Sequence, residues 1–129
     1  MSTKTRSPER TGFLTDILIT AVEGGINSWA YVRDYVHTSE DPSKIGVTVS
    51  SVDEDEDDFA PTRVDLDMIA SAVRKITSGE VGVHERMFLS ITHASNKNDT
   101  CPVGDFDDLD ADYCDTIFQV ALFGKVIYG

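Results

Sequence analysis

Six consecutive carboxylates, Asp53-Glu54-Asp55-Glu56-Asp57-Asp58, stand in this chain without one basic residue among them. An ionised carboxylate is buried only when it is paired and hydrogen-bonded, so a run of six has to stay in water. Any core must therefore be assembled from apolar residues on both sides of the run, with the run itself on an acidic loop. At 129 residues the two sides have to share that core, because two separate ones would each be marginal. Apolar residues make up 40% of the chain, enough for one core and too many for a fully disordered polymer.

The net charge of −12 is as uneven as this run suggests. Residues 53–58 contribute −6, and residues 99–129, with seven acids against Lys125 alone, contribute −6 again. Elsewhere the charges nearly cancel: residues 1–52 hold six acids and five bases, residues 59–98 four acids and five bases. An acidic balance of this size disfavours direct binding to nucleic-acid backbone or to anionic membrane, both of which need surplus Lys and Arg. No apolar run approaches the roughly 20 residues of a membrane-spanning helix. Lys4, Arg6 and Arg10 are followed by an apolar stretch that Asp16 and Glu23 interrupt, which is not a secretory pattern. Cys101 and Cys114 are too few for a disulfide framework, so reduced thiols and a cytoplasmic location are expected.

Hydrophobic periodicity sets the expected elements. Residues 1–11 are polar and read as a flexible tail, leaving residues 12–129 as a single domain. Phe13, Ile17, Ala21 and Gly25 lie four apart beside a second ridge of Leu14, Leu18 and Val22, which predicts a long helix over roughly 13–29. Gly24-Gly25 costs such a helix roughly 1 kcal/mol per glycine relative to alanine. Close packing, a break, or a ligand against bare backbone would account for the pair. Trp29 is expected to close the core. From Tyr31 to His37, and again from Ile45 to Ser51, the alternation and the β-branched content predict strands, with a third short one at Thr62-Arg63-Val64. Asp65 or Asp67 caps the next helix, along which Leu66, Ile69, Ala70, Val73 and Ile76 recur, and Gly79 stops it. A third helix is expected over 80–95. A last one follows Asp110, buries Tyr113, Ile117, Val120 and Ala121, and ends at Gly124. The expected fold is α+β: a long N-terminal helix, a small antiparallel sheet of two to three strands, and three further helices on one face.

The chain offers little for catalysis. Asp105, Asp107, Asp108, Asp110 and Asp112 could supply hard oxygens, but a calcium loop needs Gly at its sixth and Glu at its twelfth position, and counting from Asp105, Asp107 or Asp108 neither occurs. His84 and His93, placed on one helix, are nine residues apart, about 13 Å along the axis, and cannot share an ion. No Cys-x-x-Cys occurs, and no metal or cofactor is expected. Cys114 lies among Asp110, Asp112 and Asp115, which disfavour its thiolate and argue against a nucleophile. Glu23 is the best candidate for an acid–base carboxylate, against the plainer reading of an exposed position on the back of its helix.

Two stretches, Ala21-Val22-Glu23-Gly24-Gly25-Ile26 with Trp29-Ala30, and Asp112…Asp115…Gln119-Val120-Ala121-Leu122-Phe123-Gly124…Val126-Ile127-Tyr128-Gly129, resemble a family of small acidic proteins of unknown function found in actinobacteria and their phages. The resemblance covers about a third of the chain. It implies a phage-type accessory protein and supplies no activity or cofactor.

The expected function is non-enzymatic. Asp53, Glu54, Asp55, Glu56, Asp57 and Asp58, with Asp105, Asp107, Asp108 and Asp110, are the candidate contacts for a basic surface on a host protein, as steering charges or hydrogen-bond acceptors. A protein presenting carboxylates where a nucleic acid presents phosphates, acting as an inhibitor, is one version of this reading. A solvated loop without a role is the plainer one. Two other classes compete. The first is a small-molecule or nucleotide site formed by Glu23, Gly24, Gly25, Trp29 and Tyr31. The second is a structural homo-oligomer joined through the Ala21/Gly25 face or through Val126-Ile127-Tyr128.

Overall fold

The computed structural model describes residues 7–51, 61–97 and 109–127. Four helices and a three-stranded antiparallel sheet follow one another as α1 (Pro8–Gly24), β1 (Ala30–Val36), β2 (Gly46–Ser51), β3 (Thr62–Asp65), α2 (Leu66–Thr77), α3 (Glu85–Lys97) and α4 (Ala111–Phe123). The architecture is α+β, as the periodicity predicts.

Helix α1 starts earlier than expected, inside the supposed tail. Ser7 is its N-cap, its Oγ accepting the Arg10 N–H at 3.1 Å, and Pro8 occupies the first turn. This is the arrangement in which the missing proline N–H costs nothing. The first turn carries no apolar residue before Phe13, so hydrophobic periodicity alone could not register it. Arg10 anchors this end by donating to the Ser95 carbonyl and hydroxyl of α3, both at 3.0 Å. Both expected ridges are buried: Phe13, Leu14, Ile17, Leu18, Ala21 and Val22. The helix stops at Gly24 rather than at 29, and a short 3₁₀ turn, Ile26–Ser28, leads to Trp29.

The sheet runs β1-β2-β3. Val32 faces Val49, Val49 faces Thr62, and Val47 faces Val64, so Ala30, Val47, Val49 and Val64 share one side and are buried. The alternate residues Tyr31, Arg33 and Arg63 are exposed on the other side, with Thr48 between the two arginines. The described helices therefore lie on one face. At the β2–β3 pairing Gly46 is required by space: a Cβ there would sit 2.6 Å from the Val64 carbonyl oxygen and 3.0 Å from the Arg63 guanidinium. Arg63 donates to the Lys44 carbonyl at 2.7 Å. The edge strand β1 is irregular between Arg33 and Val36, where Asp34 adopts φ 51°. Aspartate is among the few residues that tolerate this left-handed conformation, and the irregularity blunts an edge that would otherwise pair with another chain.

Asp65 is the cap of α2, accepting the Met68 N–H at 3.0 Å. The helix buries Leu66, Ile69, Ala72, Val73 and Ile76, with Ala72 in place of the expected Ala70. Gly79 follows with φ 83°. Helix α3 begins at Glu85, later than the expected residue 80, and buries Met87, Ile91 and Ala94 while Leu89 is exposed. Helix α4 packs against both α1 and α2. That central position explains why Cys114, Ile117, Phe118, Gln119 and Val120 are all buried, a wider arc than a surface helix needs, while Tyr113 and Ala121 are only partly covered. Gly124 ends it at φ 78°.

Candidate functional site

Of the ten acidic candidates, Asp53 to Asp58 and Asp105, Asp107 and Asp108 lie outside the described residues. The first run joins β2 to β3 in sequence, and the second block leads from α3 into α4. Asp110 is described and is exposed. Its Oδ1 accepts the Tyr113 N–H at 2.9 Å as the N-cap of α4, with Asp112 in the same first turn. One carboxylate of the second block therefore already has a structural role, closing an orphan donor at the positive end of a helix.

The other candidate set is dispersed by the fold. Glu23 and Tyr31 are exposed, the latter by 57%, whereas Trp29 retains only 4% exposure. The Gly25 backbone is covered by α4: a Cβ there would meet the Ala111 carbonyl oxygen at 2.9 Å and the Asp115 Cβ at 3.1 Å. Packing and a helix end together account for Gly24-Gly25, and the Ala21/Gly25 face serves inside the domain. The Trp29 ring is buried, its centroid 6.1 Å from that of Phe118 and 5.7 Å from that of Phe123. Glu23 instead accepts a hydrogen bond from the Tyr35 hydroxyl at 3.3 Å. Burial, then the Glu23 charge, push the Tyr35 phenol up to about 12.

Around Trp29 the structure builds a polar network that periodicity does not reveal. The indole Nε1–H donates to Asp115 Oδ1 at 2.9 Å, and Gln119 Nε2 donates to the same oxygen at 3.1 Å. Gln119 is 1% exposed, and its Oε1 accepts the Ile127 N–H at 2.8 Å. The carboxylate thus sets the orientation of the Gln119 amide, and the amide holds the chain after it reverses at Gly124. Burial pushes the Asp115 carboxyl above the usual aspartate range, against the two hydrogen bonds that hold it down, and the Asp112 charge adds to the rise. The only sequence signal for this network is the four-residue spacing of Asp115 and Gln119, two polar residues inside an apolar arc. The network thus joins the end of α1 to α4 through Gly25, Trp29, Asp115 and Gln119.

Asp115 supplies a pH-dependent prediction. Its folded pKa is raised, so its contribution to stability is complete below the ordinary value of 3.8 and is lost as pH rises through the raised one. Asp115→Asn keeps an acceptor for the indole and carries no charge. Its stability relative to the parent should increase with pH above 3.8 and then level off, as read by urea denaturation across the acidic range. A constant difference would contradict the burial of the charged form.

The remaining reactive side chains are dispersed. Cys114 is buried, its thiol donating to the Leu109 carbonyl at 3.6 Å. His84 lies at the start of α3 rather than within it, and among the described residues no group of three or more His, Cys, Asp or Glu is placed to hold a metal ion. No described helix is long and apolar enough to cross a membrane. Comparison with family models, with curated proteins and with solved structures finds no match.

Proposed function

We propose that this protein is a non-enzymatic binding protein, an accessory protein of the phage type, that meets a basic surface on a host macromolecule through its acidic blocks. The observation that carries the reading is charge segregation: residues 53–58 and 99–129 each contribute −6, and the rest of the chain is nearly neutral. Clustered carboxylates steer a cationic partner and discriminate against anionic ones. The fold supports the reading in one further respect. Gly25 and Trp29, the residues on which a small-molecule site was expected to depend, are engaged in packing α4 against the end of α1. Asp110 holds its helix cap, so the contacts fall to Asp53–Asp58 and to Asp105, Asp107 and Asp108.

The test begins with capture of partners from an actinobacterial lysate at low and at physiological salt. Association kinetics then follow with the captured partner, using the parent chain and a variant with residues 53–58 changed to Asn and Gln. Neutralisation should slow association about ten-fold or more at low salt and leave dissociation nearly unchanged, and added salt should erase most of that difference. An unchanged association rate accompanied by altered thermal stability would mean that the run serves the fold, and the reading would fall.

A further inference from the structure

Helix α3 carries an unusual cap. Its first intrahelical bond runs from the Phe88 N–H to the His84 carbonyl at 3.0 Å, which makes His84 the residue at the helix entrance. The His84 side chain fills the role that Ser, Thr, Asp or Asn ordinarily takes, its Nδ1 accepting the Met87 N–H at 3.2 Å. An imidazole nitrogen accepts only through a lone pair, so the ring in this arrangement is neutral with its proton on Nε2. The ring is exposed and stands edge-on to Tyr113 of α4, with centroids 6.1 Å apart.

We propose that His84 makes the start of α3 a proton-sensitive element: protonation removes the acceptor and releases the first turn of the helix. Once Nδ1 carries a proton it repels the Met87 N–H instead of accepting from it, and a positive charge at a helix N-terminus also opposes the macrodipole. Charged residues stand on α3 itself and on the elements next to it. Glu85 and Arg86 follow on α3, Asp110 and Asp112 flank Tyr113 at the start of α4, Glu80 precedes in the connection, and Arg74 and Lys75 end α2, against which α3 packs. The element concerned is the helix whose chain leads into the second acidic block and whose Ser95 receives Arg10 of α1. The inference is independent of the partner-binding reading.

Amide hydrogen exchange followed by NMR tests it on the full chain. Between about pH 8 and about pH 5, protection at Met87 and Phe88 should fall by about five-fold beyond the intrinsic rate change, the equivalent of one lost cap. The ring should carry its proton on Nε2 at the upper pH. H84N, a cap without a titrating ring, should stay protected at both values, and H84A should be weakly protected at both. PH-independent protection in the parent, the same loss in H84N, or an Nδ1-protonated ring at the upper pH would each overturn the proposal.

Discussion

Trp29→Ala is expected to destabilise the fold by about 3–5 kcal/mol, the usual cost of removing a buried large aromatic. The indole is 4% exposed, packs against Phe118 and Phe123, and donates to a half-buried carboxylate. Its removal therefore opens a cavity and takes a hydrogen bond from Asp115 in one step. Domains of this size are stable by roughly 5–15 kcal/mol, so the loss is a large share of the whole. Trp29→Phe separates the two contributions, because it restores most of the apolar volume and none of the hydrogen bond. A remaining cost of about 1–3 kcal/mol would be the hydrogen-bond share. Urea denaturation followed by circular dichroism is the appropriate measurement, since Trp29 is the only tryptophan and the variants lose the fluorescent reporter. A loss below about 1 kcal/mol for the alanine variant would mean that the Trp29 contacts do not hold α4 to the end of α1.

Gly46→Ala should cost about 1–3 kcal/mol, although alanine is the smallest change available. The new Cβ would lie 2.6 Å from the Val64 carbonyl oxygen, and a backbone atom in a paired strand cannot turn aside as a side chain can. Either β3 separates from β2 at the Gly46–Asp65 pair or the Arg63 guanidinium leaves its place against the glycine. The opposing benefit, reduced freedom of the unfolded chain, is about 0.4–1 kcal/mol and does not offset the clash. Asp65 pairs with Gly46 and also caps α2, so the disturbance should reach the first turn of that helix and show as faster amide exchange at Met68. A variant as stable as the parent, with Met68 unchanged, would contradict the close approach at Gly46.

The elements were legible because each depends on local chemistry. The four-residue ridges of α1, the β-branched alternation of β2, the aspartates at positions 65 and 110 and the glycine at 124 act within a few residues of themselves, and they produce the helix, strand, caps and stop found. The misreadings also have physical causes. The start of α1 depends on Ser7 and Pro8, a capping signal without apolar content, and its end depends on Gly24-Gly25, whose meaning is set by what packs there. Leu89 is apolar and exposed, while Gln119 is polar and buried, and neither outcome can be read from the side chain alone.

By itself, then, the amino-acid order determined the α+β class, the caps and stops of α2 and α4, and the confinement of excess charge to two blocks. These follow from short-range periodicity and from the cost of burying carboxylates. Only the tertiary structure decided that α4 lies between α1 and α2, and that one placement covers the backbone of Gly25, encloses Trp29 and makes Asp115 and Gln119 partners inside the domain. The physical reason is distance along the chain. Trp29 and Asp115 are brought within 2.9 Å by packing that satisfies many apolar side chains at once, and no local pattern in either segment encodes the other's position.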